Sequence, residues 1–343
     1  MKTKHDISII LPAYNEEAII ERNVKILIEY LETLNSKYNW DILIINDGSK
    51  DQTGKLADEL AKKYSEVTVV HHFVNLNLGR ALQTGFRHAK GEGIIVMDLD
   101  LSYSVDHIEG MADTLFNAHA DVVVASPYMP GGKCTAVPKK RLILSKIMNR
   151  VIKYAVPGKY YTFTGMVRAY RSEFIKNLNL RSINYQINPE IIFKAIIVRA
   201  RIIEIPAHLD WSEQNKKENK RKSKLNIVKN IYSGLMTCFI FRPYLYFMRG
   251  GLVVLIVSLY IIGWIFYHTL TLMPELTIEA NYFDDKFSYA LGIVFHNRPH
   301  AFLVGGFTFV LAILILGIGF ISLQTKRYFD ELFHLGSYNK SKE

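Results

Sequence analysis

Residues 250–273 and 301–325 contain no Asp, Glu, Lys or Arg, and no other feature restricts the fold so strongly. At 1.5 Å per residue, each stretch is long enough to cross a hydrocarbon core of about 30 Å as a helix. A buried helical hairpin in a soluble protein is the alternative, and charge-free runs of this length argue against it. Arg249, Lys326 and Arg327 flank the pair on the outside, while the connection 274–300 carries Glu275, Glu279, Asp284 and Asp285 against Lys286 and Arg298. The positive-inside rule therefore predicts a two-pass integral membrane protein, with the N-terminal portion and the C-terminal tail cytoplasmic and the connection outside. The first residues, Met1-Lys2-Thr3-Lys4, precede only 7–11 as an apolar run before Pro12. That is too short for the apolar region of a signal peptide, so residues up to about 248 are expected to stay on the side where they are made.

With 49% hydrophobic residues over 343 positions, the chain is neither disordered nor collagen-like. Two cysteines, Cys134 and Cys238, exclude a disulfide scaffold and suit a reduced, cytosolic setting. The formal charge of +10 is concentrated: residues 216–229 hold seven Lys or Arg and one Glu. Such a run is either a solvated loop or, this close to a spanning segment, a contact for anionic headgroups. Residues 227–247 are aromatic and apolar around Arg242-Pro243, too interrupted to span but suited to a helix lying in the interface.

Ahead of this region, short Ile/Val-rich runs at 7–11, 42–46, 67–71, 93–97 and 122–125 predict strands covered on both faces. Ile19, Ile20, Val24, Leu27, Ile28, Leu31 and Leu34 recur at helical spacing, and helices are expected at 52–64, 80–90 and after Tyr103. Strand–helix alternation of this kind predicts a Rossmann-like α/β sheet, mixed but mostly parallel, with helices on both faces. A basic amphipathic helix at 139–154, strands at 161–170 and 201–208 and a helix at 189–198 complete the expected domain.

Ligands of such sheets bind at the carboxyl ends of the strands, and three of those ends carry polar clusters. The first strand ends at Pro12-Ala13-Tyr14-Asn15-Glu16-Glu17. There Pro12 stiffens the turn, Tyr14 offers a stacking face and Glu16 can accept hydrogen bonds, although the same residues would serve as a helix start with acids in the first turn. The second ends at Asn46-Asp47-Gly48-Ser49, with Asp47 at the same edge. The fourth ends at Asp98-Leu99-Asp100-Leu101-Ser102. Carboxylates at i and i+2 of an extended segment share a face and repel unless a cation lies between them, which suits Mg²⁺ or Mn²⁺ held jointly with phosphates. A polar strand end with two solvated acids is the plainer reading of that triplet alone; convergence of three strand ends on one edge favours a site.

The segments PAYNEE, NDGSKDQT, NLGRALQTG, MDLDLS, TGMVRAYRSEF and NPEIIFKA, in this order, resemble the inverting nucleotide-sugar glycosyltransferases of the GT-A fold. Within these, about residues 6–225 are similar to the polyprenyl-phosphate glycosyltransferases related to dolichol-phosphate mannose synthase. The resemblance implies that Pro12, Ala13, Tyr14, Glu16, Asn46 and Asp47 hold the nucleotide, and that Asp98, Leu99 and Asp100 meet the metal and diphosphate. It implies that Lys139, Arg141 and Arg168 take the acceptor phosphate, and that Lys222 and Lys224 lie in a loop closing on the donor. The chain departs from the family pattern at Asn46, where Asp is usual, and at Ser102, where a Gln usually stands and a shorter oxygen ligand is offered. It departs again at Pro127, where the family has an anion-binding arginine whose task would fall to Lys133 or Arg141.

The expected activity is metal-dependent inverting transfer of a hexose, from a GDP-mannose or UDP-glucose type of donor, to a polyprenyl or dolichyl phosphate at the cytoplasmic face. A phosphate nucleophile needs no general base. The expected division is a catalytic domain 1–225, an interfacial helix 226–248, spanning helices 249–273 and 301–325, an outer loop 274–300 and a tail 326–343. The implied partners are the nucleotide sugar, the lipid phosphate and the membrane, with no nucleic acid. A homo-oligomer through the spanning helices is suggested by Gly250-Gly251, Gly305-Gly306 and Gly317-x-Gly319. Competing readings are a transferase acting on a hydroxyl of a lipid-linked glycan and a catalytically silent nucleotide-sugar-binding scaffold. A processive polysaccharide synthase fits poorly, because none of Trp40, Trp211 and Trp264 follows an arginine.

Overall fold

The computed structural model describes residues 4–155, 158, 160–214, 236, 239, 242–276 and 283–340. The basic run 216–229, with Lys222 and Lys224, lies outside them, as do Cys238 and most of the expected interfacial helix. The chain divides into two compact units, residues 1–238 with 331–343, and residues 239–330.

The first unit is built on a seven-stranded sheet in the order β3-β2-β1-β4-β7-β5-β8. Its strands are β1 (His5–Ala13), β2 (Tyr38–Asn46), β3 (Val67–His71), β4 (Gly93–Val96), β5 (Val122–Ser126), β7 (Arg168–Arg171) and β8 (Ile202–Pro206). All neighbours are parallel except β7, which runs antiparallel to both β4 and β5. A smaller parallel pair joins β6 (Lys133–Thr135) to β9 (His208–Asp210). This is the mixed, mostly parallel architecture that the strand–helix alternation predicts.

Around the sheet lie α1 (Ile20–Thr33), α2 (Thr53–Lys63), α3 (Leu78–His88), α4 (His107–Asn117), α5 (Lys139–Ala155), α6 (Ser172–Asn177) and α7 (Ile187–Ile197). The apolar stripe of α1 behaves as its spacing requires: Ile20, Val24, Leu27, Ile28, Leu31 and Leu34 are buried with Ile7, Ile9, Leu11, Ile42 and Ile44 in one core. At about 25 cal/mol per Å² of apolar surface, these fully enclosed strands supply most of the drive to fold.

Two expectations need correction. The strand expected over 161–170 is confined to β7. The segment before it cannot pair with a strand, because its amides are taken by side chains: Tyr161 and Thr162 donate to Glu204, and Phe163 and Thr164 to Asn149. The strand expected over 201–208 is interrupted after Pro206, so that β8 pairs with β5 and β9 with β6.

The second unit contains α8 (Pro243–Leu272), a 3-10 turn (Met273–Glu275), α9 (Phe283–Asn297) and most of α10 (Pro299–Lys340). Pro243–Glu275 and Pro299–Phe333 are long and apolar enough to cross a membrane, and most of their surface is exposed to whatever surrounds the unit. Helix α8 begins at Pro243, so 243–248 form its first turns, and α10 continues through Lys326 and Arg327 to Lys340. The connection between them contains a helix, α9, which packs Ala290 and Val294 inward. Helices α8 and α10 meet along small residues: a Cβ on Gly251, Gly305 or Gly319 would lie within 3.0 Å of Leu316, Ile261 or Met248, and buried Ser258 Oγ donates to the Gly305 carbonyl at 3.1 Å.

Candidate active site

At the carboxyl ends of β1 and β2, two turns lock together. Asp47 N donates to the Ala13 carbonyl at 2.9 Å, and Glu16 N to Thr53 Oγ1 at 2.7 Å. Asn15 N donates to Ser49 Oγ, and Lys50 N returns a bond to Asn15 Oδ1. Asn15 is held at a φ of 56°, a left-handed conformation that asparagine tolerates. Pro12 is partly covered, Ala13 is buried, and Tyr14 stands 40% exposed at the rim.

Asp47 is 4% exposed, and its Oδ1 accepts from His72 Nδ1 at 2.7 Å and from Leu76 N at 2.9 Å. The other imidazole nitrogen of His72 meets Thr84 Oγ1 at 3.0 Å. A carboxylate only accepts, so Nδ1 carries the proton toward Asp47. Asn46 is likewise turned inward: its Oδ1 accepts from Ser49 N, its Nδ2 faces His71 Nδ1 at 2.9 Å, and His71 Nε2 reaches Asp58. Both polar ends of the amide therefore brace the turn. Gly48, at a φ of 65°, lies so close beneath the Val74–Asn75 backbone that a Cβ would sit 2.3 Å from Val74 C.

Beyond β4, the Asp98–Ser102 turn is tight. Leu101 adopts a φ of 49°, Leu101 N donates to the Asp98 carbonyl, and Ser102 N donates to Asp100 Oδ1 at 3.1 Å. Ser102 Oγ lies 3.4 Å from Asp98 Oδ2. Two elements pin the turn, α1 through Asn23 Nδ2 on the buried Leu99 carbonyl and β9 through Asp210 N on the Ser102 carbonyl. Asp98 is raised well above the carboxylate range, first by burial and then by the Asp100 charge, while Asp100 is raised by burial. Two desolvated oxygen ligands that resist ionisation side by side fit a hard divalent cation such as Mg²⁺ or Mn²⁺. No third His, Cys, Asp or Glu among the described residues joins them. The donor set is thus open, as it is where substrate phosphates complete the coordination.

Arg141, in the first turns of α5, reaches the same place. Its guanidinium lies 4.6 Å from the centre of the Trp211 ring, and burial lowers its pKa. The link between the two sides is the Asp210-Trp211 pair, with the Asp210 amide on the Ser102 carbonyl and the Trp211 ring under Arg141; Tyr185, a residue without a motif to announce it, feels the charges of both. It is 76% exposed, and its pKa is raised first by partial desolvation and then by the Asp98 charge, with Arg141 lowering it and Asp100 raising it. Tyr103 is buried beside Asp98, Tyr128, Cys134 and Arg168. The Tyr128 hydroxyl donates to Ser145 Oγ, one turn beyond Arg141 on α5, at 2.7 Å.

Arg168 requires a correction. None of its side chain is exposed, and its guanidinium donates to the carbonyls of Asn188 at 2.7 Å and Phe163 at 2.6 Å. It holds the segment before β7 against α7 from inside the sheet, with no surface for an acceptor phosphate. Its place on a short strand between buried Val167 and Ala169 is the signal that the motif alone obscures. Lys139 is exposed at the start of α5. Glu190, in the NPE segment, has its carboxylate occupied by Lys194 Nζ and by the amides of Arg181 and Ser182.

The profile of the family described as Glycosyl transferase family 2 matches residues 8–178. The chain is 30% identical over 205 residues to the Polyprenol monophosphomannose synthase of Mycolicibacterium smegmatis, covering 58% of this chain and 75% of that one. It is 28% identical over 229 residues to the Dolichol-phosphate mannosyltransferase of Pyrococcus furiosus, covering 66% and 62%. It is 25% identical over 228 residues to the Glycosyltransferase AglD of Haloferax volcanii, covering 66% and 35%. The similarity thus spans less than two thirds of the length of the last two.

Proposed function

Since the chain belongs to glycosyl transferase family 2, we propose that it transfers a hexose from a nucleotide sugar, of the GDP-mannose or UDP-glucose type, to a polyprenyl or dolichyl phosphate at the cytoplasmic membrane surface. The observation that carries this reading is that Arg141 stacks on Trp211, next in sequence to Asp210, whose amide pins the Ser102 carbonyl of the Asp98/Asp100 turn. One side holds a donor diphosphate, the other an anionic acceptor. The Asp47–Gly48 and Pro12–Glu16 turns hold the nucleoside, and Asp98 and Asp100 would hold Mg²⁺ or Mn²⁺, which when bound supplies Lewis-acid stabilisation of the departing diphosphate. Arg141, stacked on Trp211, presents its guanidinium to the acceptor phosphate through charge-assisted hydrogen bonds.

The acceptor assignment agrees with the names of two relatives, a polyprenol monophosphomannose synthase and a dolichol-phosphate mannosyltransferase. It also agrees with Glu190: with that carboxylate engaged by Lys194 and two amides, it is not available as a base for a hydroxyl acceptor. The exposed face of α5 fits an anionic surface, because Ile143 and Ile147 stand 58% and 46% exposed among Lys139, Lys140, Lys146 and Arg150. Together with α8 and α10, this supports a membrane-held enzyme whose large domain and termini face the cytoplasm, as the flanking basic residues favour.

The test uses the full chain in lipid nanodiscs with Mn²⁺, supplied separately with GDP-mannose and UDP-glucose and with either a polyprenyl phosphate or the parent polyprenol. Transfer to the phosphate, with inverted anomeric configuration and loss of activity in EDTA, is expected. Equal transfer to the polyprenol would overturn the acceptor assignment, and activity undiminished by chelation would overturn the metal.

A further inference from the structure

The loop between β3 and α3 displays three apolar side chains to solvent: Phe73 completely, Val74 at 61% and Leu76 at 41%. Exposed apolar residues usually belong to loops that give way, but this loop is fixed at several points. His72 N donates to the Asn46 carbonyl at 2.9 Å, Leu76 N donates to Asp47 Oδ1, Asn77 N donates to Asn75 Oδ1, and the Val74–Asn75 backbone rests on Gly48. The imidazole of His72 is itself clamped between Asp47 and Thr84. A rigidly presented, fully exposed phenylalanine leaves an apolar ring face in water, which is stabilising only once something flat covers it.

The sheet order limits what that is. Strands β3, β2, β1 and β4 are consecutive and parallel, so the segments after them line one edge in that order. The Phe73 loop, the Asp47 turn, the Pro12–Glu16 turn and the Asp98/Asp100 pair therefore follow one another along the ligand edge. Three strand spacings of about 4.8 Å separate the outer two by about 14 Å, comparable with an extended nucleoside diphosphate. A diphosphate anchored at the β4 end and a ribose near Asp47 would bring the base to the end of β3. We infer that Phe73 is the stacking platform for the nucleobase of the donor, held in place by the His72–Asp47 bond; this rests on the donor reading above. Stacking recognises the π-face common to all bases, so Phe73 contributes affinity, and discrimination between bases is left to polar groups.

The experiment titrates the Mn²⁺-loaded full chain with GDP, UDP and base-free ribose 5-diphosphate by calorimetry, comparing the wild type with Phe73→Ala and Phe73→Trp. At about 1–3 kcal/mol per stacked base, Phe73→Ala is expected to bind the preferred nucleoside diphosphate roughly tenfold more weakly and ribose 5-diphosphate unchanged. Phe73→Trp is expected to retain affinity and to show fluorescence quenching by nucleotide in excess of any shown by the wild type's own tryptophans. An unchanged preference for nucleotide over ribose 5-diphosphate in Phe73→Ala overturns the assignment. So does a Phe73→Trp fluorescence whose excess over the wild-type signal responds to brominated lipid in the nanodisc and not to nucleotide, which would make the loop a membrane contact. A wild type that binds no nucleoside diphosphate instead overturns the donor reading itself.

Discussion

The guanidinium of Arg168 donates to the carbonyl of Phe163 at 2.6 Å from a side chain of which nothing is exposed, and its Nε has no partner among the described residues. Replacing it with methionine leaves the Phe163 and Asn188 carbonyls buried and unpaired, at about 1–3 kcal/mol each. Arg168→Met is expected to lose about 3 kcal/mol or more of stability in thermal unfolding, while the folded fraction binds nucleotide normally. A variant with unchanged melting temperature and a selective loss of acceptor affinity would return Arg168 to the acceptor site.

Asp98 illustrates a carboxylate whose ionised form costs stability. Burial and then Asp100 raise its pKa in the folded protein, so the stability its neutral form contributes is present below the ordinary carboxylate pKa and is lost as pH rises through the raised value. Asp98→Asn is expected to melt higher than the wild type at pH 8 without metal, by about 1 kcal/mol or more, to lose that advantage near pH 4, and to transfer sugar about a hundredfold more slowly or worse. Calorimetry with Mn²⁺ should show wild-type affinity falling as pH drops. A variant less stable than the metal-free wild type at pH 8 contradicts the electrostatic account.

Glu190 behaves in the opposite sense. Burial would raise it, but hydrogen bonds from Lys194, Ser182 and the Arg181 amide outweigh burial and hold it below the ordinary value. Its contribution is therefore present above the ordinary glutamate pKa and is lost as pH falls through the lowered one. Glu190→Gln is expected to lose about 3–5 kcal/mol at neutral pH, the cost of stranding the buried Lys194, with less of a deficit under acid. Its pH–rate profile should keep the wild-type shape; disappearance of an ascending limb would identify Glu190 as a base.

Glycines in the second unit divide by environment. A Cβ at Gly251 would meet Leu316 at 2.8 Å, whereas one at Gly250, Gly306 or Gly317 would meet nothing within 4 Å among the described residues. Gly251→Leu is expected to lower the melting temperature of the full chain in detergent, at about 1–3 kcal/mol for overpacking, and Gly250→Leu to leave it nearly unchanged. If Gly250→Leu alone shifts the mass of the particle, the outward glycines serve an oligomer.

Most of the first unit is legible in its sequence where one periodicity governs a segment. The apolar runs of β1 to β5 and the stripe of α1 lie where expected, because burial decides them locally. The turn residues at the ends of β1, β2 and β4 share an edge because parallel strands bring them there. What escapes is decided by distant partners: Arg168 is enclosed by carbonyls from Phe163 and Asn188, Asn46 is turned inward by His71, and the 160–167 segment is kept out of the sheet by Glu204 and Asn149. Tyr185 escapes for another reason, since nothing in its neighbourhood of sequence distinguishes it from any exposed tyrosine.

The antiparallel strand β7, set between β4 and β5, also dictates an order of assembly. Strands β1 to β4 pair among themselves and all precede β5 in the chain. Among the described residues, strand β5, buried along its whole length, pairs with β7 and β8, and both come later in the chain. Until they arrive, a valine-rich ribbon waits with both edges unpaired, the condition under which growing chains aggregate.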